Sequence, residues 1–171
     1  GLHLWNEAEF EPRTDDIFTE RLYAVRYEHI DVLPNGKTKS TRYYIEPGER
    51  ENKNEEKIRD NVRKNFVSWQ EQGFVPSMPI EEGMETARLM RERGWKYWHQ
   101  LFNPRQLLLL SLFAKYTAEA NTPLEKAAGI LGLNKCADFN SKLCRWNPNC
   151  DKSEQTFYNQ ALNTLMNWGT R

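Results

Sequence analysis

The sequence has no excess of either charge. Its 24 Lys and Arg balance 24 Asp and Glu, which argues against a protein that merely coats nucleic acid or an anionic membrane, since coating draws on a net cationic field. It has no apolar run long enough for a bilayer, which takes about 20 residues, and no signal-peptide or lipidation pattern. It has only three cysteines, an odd number clustered late, unlike the framework of a secreted disulfide domain. A reducing cytoplasm is the expected setting. Gly-rich phosphate loops, internal repeats and low-complexity runs are also missing: Gly129 and Gly132 fall inside a helical pattern with no Lys-Ser/Thr after them. At 171 residues the chain suits one domain with a real core. Residues 21–171 are expected to form that domain, with 1–20 an extended arm anchored by Leu4, Trp5, Phe10, Ile17 and Phe18. Starting at Gly1 and stopping abruptly at Gly169-Thr170-Arg171, the chain reads as an excised part of something larger.

What is present is organised around residues 95–113, W-K-Y-W-H-Q-L-F-N-P-R-Q-L-L-L-L-S-L-F. Asn103 is an N-cap and Pro104 fits the first helical position, where its missing N–H costs nothing. Leu107, Leu108, Leu109, Leu110, Leu112 and Phe113 are apolar on every side of the helix that follows, and a helix without a polar face belongs inside a core. The expectation is a buried central helix over about 104–120, with Leu109 fully enclosed and Trp95, Tyr97, Trp98 and Phe102 packed around its start.

Two β-rich runs, 21–30 and 41–45, flank Leu33-Pro34-Asn35-Gly36, and an Asn-Gly turn between such runs predicts a hairpin over about 21–46. A hairpin is marginal alone, so it must pack on the helices or on a missing partner. Ile58, Val62, Phe66 and Trp69 form a helical stripe ending at Gly73. Ile80, Met84, Ala87 and Met90 predict a short helix stopped by Gly94. Thr122-Pro123 caps another, with Leu124, Ala127, Ala128 and Leu131 as its first stripe, continuing through Leu133, Ala137 and Cys144 to Trp146-Asn147-Pro148-Asn149; Gly129 and Gly132 are read as close-packing positions within it. Asp151 and Glu154 have the spacing of a capping box before a last helix burying Phe157, Ala161, Leu165 and Trp168. The expected fold is α+β and predominantly helical: the hairpin packed on a bundle of about five helices around the central one.

Few residues present a recognisable chemistry. Cys136, Cys144 and Cys150, with His99 or His29, are spaced C-x7-C-x5-C, whereas zinc sites favour closely paired cysteines; buried structural cysteines are the simpler reading, and no local motif marks a Cys–His nucleophile. Asp15-Asp16, Glu55-Glu56 and Glu81-Glu82 are adjacent carboxylates on different faces, better explained by helix starts than by catalysis. The segment 140–146, N-S-K-L-C-R-W, is richer. Lys142, Arg145 and nearby Lys135 sit beside Trp146 and a Pro-containing turn. Cations with a stacking ring suit phosphates and unstacked bases, while basic residues at a helix C-terminus equally suit the dipole; both readings stand. Residues 1–60 hold ten basic and fourteen acidic side chains and 101–171 hold eight and five, so any nucleic-acid contact is expected in the second half. Arg105 is a further candidate. A cation opening a helix opposes the dipole, so an anion, carboxylate or phosphate, is expected beside it.

Three strings in order, G-W-K-Y-W-H-Q-L-F-N-P-R-Q-L (94–107), N-S-K-L-C-R-W (140–146) and T-F-Y-N-Q-A (156–161), with R-L-Y-A-V-R-Y (21–27) upstream, resemble the large adenine-specific DNA methylases that often carry a zinc ribbon. The resemblance covers roughly residues 20–168. It weakens at Met166-Asn167, where the family tends to have Trp-Asp. The family's S-adenosylmethionine loop, of D-P-F-x-G-x-G type, its D-P-P-Y motif and its Cys-rich ribbon do not occur here. The resemblance therefore implies a non-catalytic insert of a methyltransferase that uses S-adenosylmethionine elsewhere in its chain. No catalytic, cofactor or metal residue falls in this segment. The expected role is to assist DNA binding or target recognition through Arg105, Lys142, Arg145 and Trp146, with the remainder of the methyltransferase chain and DNA as partners. The alternative is a structural or protein-interaction scaffold without nucleic-acid contact; an independent metal-dependent enzyme is disfavoured by the cysteine spacing.

Overall fold

Gly36 turns the chain at φ +77°, a left-handed conformation that glycine adopts without strain. The loop is closed by Leu33 N–H donating to Lys37 O at 2.8 Å and Gly36 N–H to Leu33 O at 2.9 Å. Strands β1 (Val25–Val32) and β2 (Thr38–Ile45) run antiparallel from this turn, in register from Val25↔Ile45 to Val32↔Thr38. The computed structural model describes residues 16–18, 20–158 and 161–162.

Four α-helices follow among the described residues: α1 (Glu49–Glu71), α2 (Thr86–Arg93), α3 (Pro104–Ala118) and α4 (Pro123–Phe139). Their ends obey local chemistry. Glu51 Oε2 accepts from Gly48 N–H at 3.0 Å at the start of α1, and Gly94 closes α2 at φ +69°. Asn103 and Gln106 form reciprocal side-chain to backbone bonds of 3.0 and 2.9 Å at α3, and Thr122 and Glu125 do the same at α4. Each pair satisfies two amides that a helix start leaves open. α3 packs between α1 and α4. At the second contact a Cβ on Gly129 would stand 2.5 Å from Thr117 Cγ2, so the glycine lets the two helices meet.

The core lies in two adjoining clusters. Ile17, Val62, Val75 and Leu107 form one, and Ile80, Leu89, Trp95, Leu101 and Leu143 form the other; Phe102 packs against both. Ile17, from the expected arm, is thus part of the α1–α3 core; Leu4, Trp5 and Phe10 lie outside the described residues.

The expected architecture needs four corrections. First, α3 is not enclosed: Leu107 and Leu110 are buried, but Leu109 is 55% exposed, and Leu112 and Tyr116 also face out. Two neighbouring helices cover only part of its circumference, and its apolar residues outnumber the covered positions. Second, the hairpin is not laid on the bundle. Every residue of β1 and β2 is exposed or half-buried, because neither face is apolar: one alternates Arg26, Glu28, Ile30 and Val32 with Tyr44, Arg42, Ser40 and Thr38. Third, the helix expected around Phe157 and Ala161 is absent. Trp146–Asn147 (β3) pairs with Lys152–Ser153 (β4), and Phe157–Tyr158 (β5) with Ala161–Leu162 (β6); Leu165 and Trp168 lie outside the described residues. Glu154, instead of capping a helix, accepts from Asn147 Nδ2 at 3.0 Å, and Asp151 sits at φ +49°, outside the right-handed helical region. The count is therefore four α-helices among the described residues rather than about five. Fourth, the short helix begins only at Thr86, after the exposed Met84, and its buried apolar residue is Leu89. No described helix is long and apolar enough to cross a membrane.

Candidate functional site

Helix α4 ends where Asn140 Nδ2 donates back to Cys136 O at 2.8 Å, and the chain then enters the interior. Ser141, Lys142, Leu143 and Cys144 are all buried. Lys142 N–H donates to Leu101 O at 2.8 Å, joining this segment to the 3-10 turn Trp98–Leu101. Ser141 Oγ lies 2.7 Å from Thr156 Oγ1, and Thr156 donates to Asp138 O at 2.7 Å. The Cys144 sulfur accepts from Ser141 N–H at 3.1 Å and lies 3.4 Å from Asp138 O. A chain of small polar groups thus ties the end of α4 to the residues before β5, meeting the hydrogen-bond demand of backbone taken out of water.

Lys142 is the centre of this arrangement. Its side chain is 0% exposed, with Nζ 3.5 Å from Glu20 Oε1 and 4.2 Å from the centroid of the Trp95 ring. Ring quadrupole and carboxylate together stabilise an ammonium withdrawn from water. Glu20 is held by Arg59 of α1, whose guanidinium donates to the Glu20 carbonyl.

The four sequence candidates fall in different settings. Lys142 is interior. Arg105 Nη1 lies 3.1 Å from Glu55 Oε1, so the anion beside this cation at the start of α3 is a carboxylate of α1. Arg145 is half-buried, its carbonyl accepting from Glu154 N–H at 2.7 Å, and its charge helps hold the Glu154 carboxyl below the usual range, behind the larger effects of Asn147 and Lys152. Trp146 is half-buried in β3, opposite Ser153. No common exposed basic face among these four follows from this placement. Sequence reasoning missed Glu20, Trp95 as a cation's partner, and Thr156. No local signal marks Glu20, since its partner is 122 positions away (142 − 20).

Two clefts stand out among the described residues, the first beside Ser141 and Thr156. One, of about 320 Å³, lies between Phe102, Asn134, Asp138, Ser141 and Phe157. The other, of about 360 Å³, is lined by Gln70, Ser77, Lys96, Tyr97, His99 and Gln100. In it His99 Nδ1 stands 3.0 Å from Pro76 O, stacked on Tyr97 with 5.5 Å between ring centroids and edge-on to Phe66 at 5.0 Å. Burial pushes its pKa down, against the Pro76 hydrogen bond and with help from Lys142.

At the hairpin, Asp151 receives three groups of one face: Tyr44 OH donates to Oδ1, and Arg26 and Arg42 approach Oδ2 at 3.4 and 3.8 Å. The carboxylate raises the Tyr44 pKa. The other face reaches α1 through Tyr27 OH, 3.5 Å from Glu51 Oε1.

The described sheets are all two-stranded and antiparallel, and the described glycines at positive φ close the hairpin, α1 and α2 rather than joining a strand to a helix. Cys144 is buried in the network above, Cys136 half-buried and Cys150 exposed; among the described residues no three His, Cys, Asp or Glu gather in a metal-binding group. Comparison of the chain with family models, with curated proteins and with solved structures gave no match.

Proposed function

We propose that this chain is a non-catalytic insert domain of an S-adenosylmethionine-dependent adenine-specific DNA methyltransferase, serving to handle DNA beside a catalytic core elsewhere in the parent chain. One observation carries the reading. The three strings behind the resemblance, far apart in sequence, converge on one buried knot: Trp95 under the Lys142 ammonium, Lys142 N–H on Leu101 O, and Ser141 on Thr156. Residues that look like a family signature yet build an interior are what a fold-defining insert requires. Enzymes that act on a base must draw it out of the stack, and surfaces that hold the distorted duplex support that step.

The second reading, a packing scaffold with no nucleic-acid contact, is favoured by the outer faces of α3 and α4, where Leu109, Tyr116, Leu124, Ile130 and Leu131 are exposed. Calorimetry with S-adenosylmethionine tests the assignment. No heat of binding to this chain is expected, while the parent is expected to transfer a labelled methyl group to adenine. Stoichiometric cofactor binding by the chain alone would overturn the insert reading, as would a folded parent without methyl transfer.

A further inference from the structure

We propose that the β1–β2 hairpin is the nucleic-acid arm of this domain, a ribbon that enters the major groove of duplex DNA. The proposal rests on the nucleic-acid part of the preceding reading but moves the contact from Lys142 and Arg105, which carboxylates engage, to the hairpin. Eight residues per strand give an arm about 24 Å long. Its root is fixed: Arg26, Arg42 and Tyr44 converge on Asp151, and Tyr27 reaches Glu51. Its carboxylates are engaged within the ribbon, Glu28 by Ser40 and Arg42 and Asp31 by His29 at 3.0 Å.

What remains towards the tip is a set of side chains to which the described residues offer no ion-pair partner. Lys37 and Lys39 are exposed; Lys39 stands opposite Asp31 in the register, but Asp31 pairs with His29 and among the described residues neither ammonium forms an ion pair. Between and beside them Thr38 and Thr41 are exposed, as are Ile30 and Val32 on the face shared with Thr38 and Ser40. From Lys37 to Ile45 the strand contains no acidic residue. Cations suited to phosphates, short hydroxyls that donate or accept, and small apolar side chains that can meet thymine methyls are the elements of groove readout. A two-stranded ribbon exposed on both faces is marginal in water, and B-form DNA has a major groove wide enough to take it. The deep, narrow major groove of A-form RNA does not.

The experiment is fluorescence anisotropy of a short labelled DNA duplex with the 171-residue chain, between about 50 and 200 mM salt. Wild type is compared with Lys37→Ala/Lys39→Ala and with Lys126→Ala, an exposed α4 control. Salt-dependent binding is expected, with the plot of log affinity against log salt flattened by roughly two units in the hairpin variant and unchanged in the control. An RNA duplex of the same sequence is expected to bind more weakly. The Lys37 and Lys39 side chains are exposed, so circular dichroism and melting should match wild type. Absence of binding at the lowest salt overturns the proposal. So does an equal loss in the control, an unchanged slope in the hairpin variant, or RNA binding as tight as DNA. Methyl transfer by the parent is read separately, so the arm can fail while the methyltransferase reading stands.

Discussion

Lys142 and Trp95 are stacked in the interior, ammonium over indole at 4.2 Å, with neither side chain reaching solvent. The third member, Glu20, is nearly as deep. Removing one charge of a buried pair strands the other and costs about 3–5 kcal/mol, whereas replacing both can be close to neutral. Lys142→Ala is therefore expected to lose stability on that scale in urea unfolding. Glu20→Gln with Lys142→Met should recover most of the loss. A cost under about 1 kcal/mol for Lys142→Ala is the behaviour of a solvated lysine and would contradict the buried pair.

The apolar run of α3 divides sharply by face. Leu107 is 2% exposed, in one core cluster with Val62 and Ile17, while Leu109, two residues on, is 55% exposed. Leu107→Ala is expected to cost about 2–5 kcal/mol, as buried leucine truncations do, and Leu109→Ala well under half of that. Equal melting temperatures for the two variants would mean that the outer face of α3 is covered in solution.

Local chemistry was legible in the sequence; long-range partnership was not. Asn103-Pro104, Thr122-Pro123, Asn35-Gly36 and Gly94 each announce a cap or turn through bonds that span a few residues, and the structure has them there. Lys142 looked like a phosphate ligand because nothing nearby in the chain reveals Glu20 and Trp95. The tally of charge by halves leaves out the same long-range pairing: acidic residues of the first half, Glu20 and Glu55, engage cations of the second, Lys142 and Arg105. Asp151 and Glu154 had the spacing of a capping box, but side chains from the hairpin and from Asn147 claim both carboxylates. The four apolar residues at 107–110 implied burial on all sides, yet how much of a helix is covered depends on its neighbours, which periodicity does not count.

Gly129 tests the α3–α4 contact. In an exposed helix interior, Gly→Ala usually gains about 1 kcal/mol from propensity. Here the new Cβ would meet Thr117 Cγ2 at 2.5 Å and Oγ1 at 2.7 Å, with Thr117 itself buried. Gly129→Ala is therefore expected to lower the melting temperature, and Thr117→Ala in the same chain to restore part of it. Gly132→Ala meets only the Phe113 ring edge at 3.1 Å, which can turn aside, so it should be milder. A stabilised Gly129→Ala would mean that the helices stand further apart than this contact requires.

His99 gives the fold a pH dependence of definite sign. Burial lowers its pKa from the ordinary 6.5, and the Lys142 charge adds to the effect, with the Pro76 carbonyl opposing them. The unfolded chain therefore binds a proton more readily than the native one. In the window from about 6.5 down to the lowered native value, stability must fall as pH falls; above 6.5 both states are neutral and the contribution is flat. The carboxyls whose pKa values are also lowered, Glu28, Glu125 and Glu154, start from 4.5 and lose their contribution only in more acid solution, so the two effects separate. Thermal melts between about pH 7.5 and 5 are expected to show a steady decline for wild type and a shallower one for His99→Gln, which keeps a donor for the Pro76 carbonyl but cannot titrate. Parallel declines in the two proteins would mean that His99 stays solvated enough to charge without cost, and the enclosure by Phe66, Tyr97 and Pro76 would have to be redrawn.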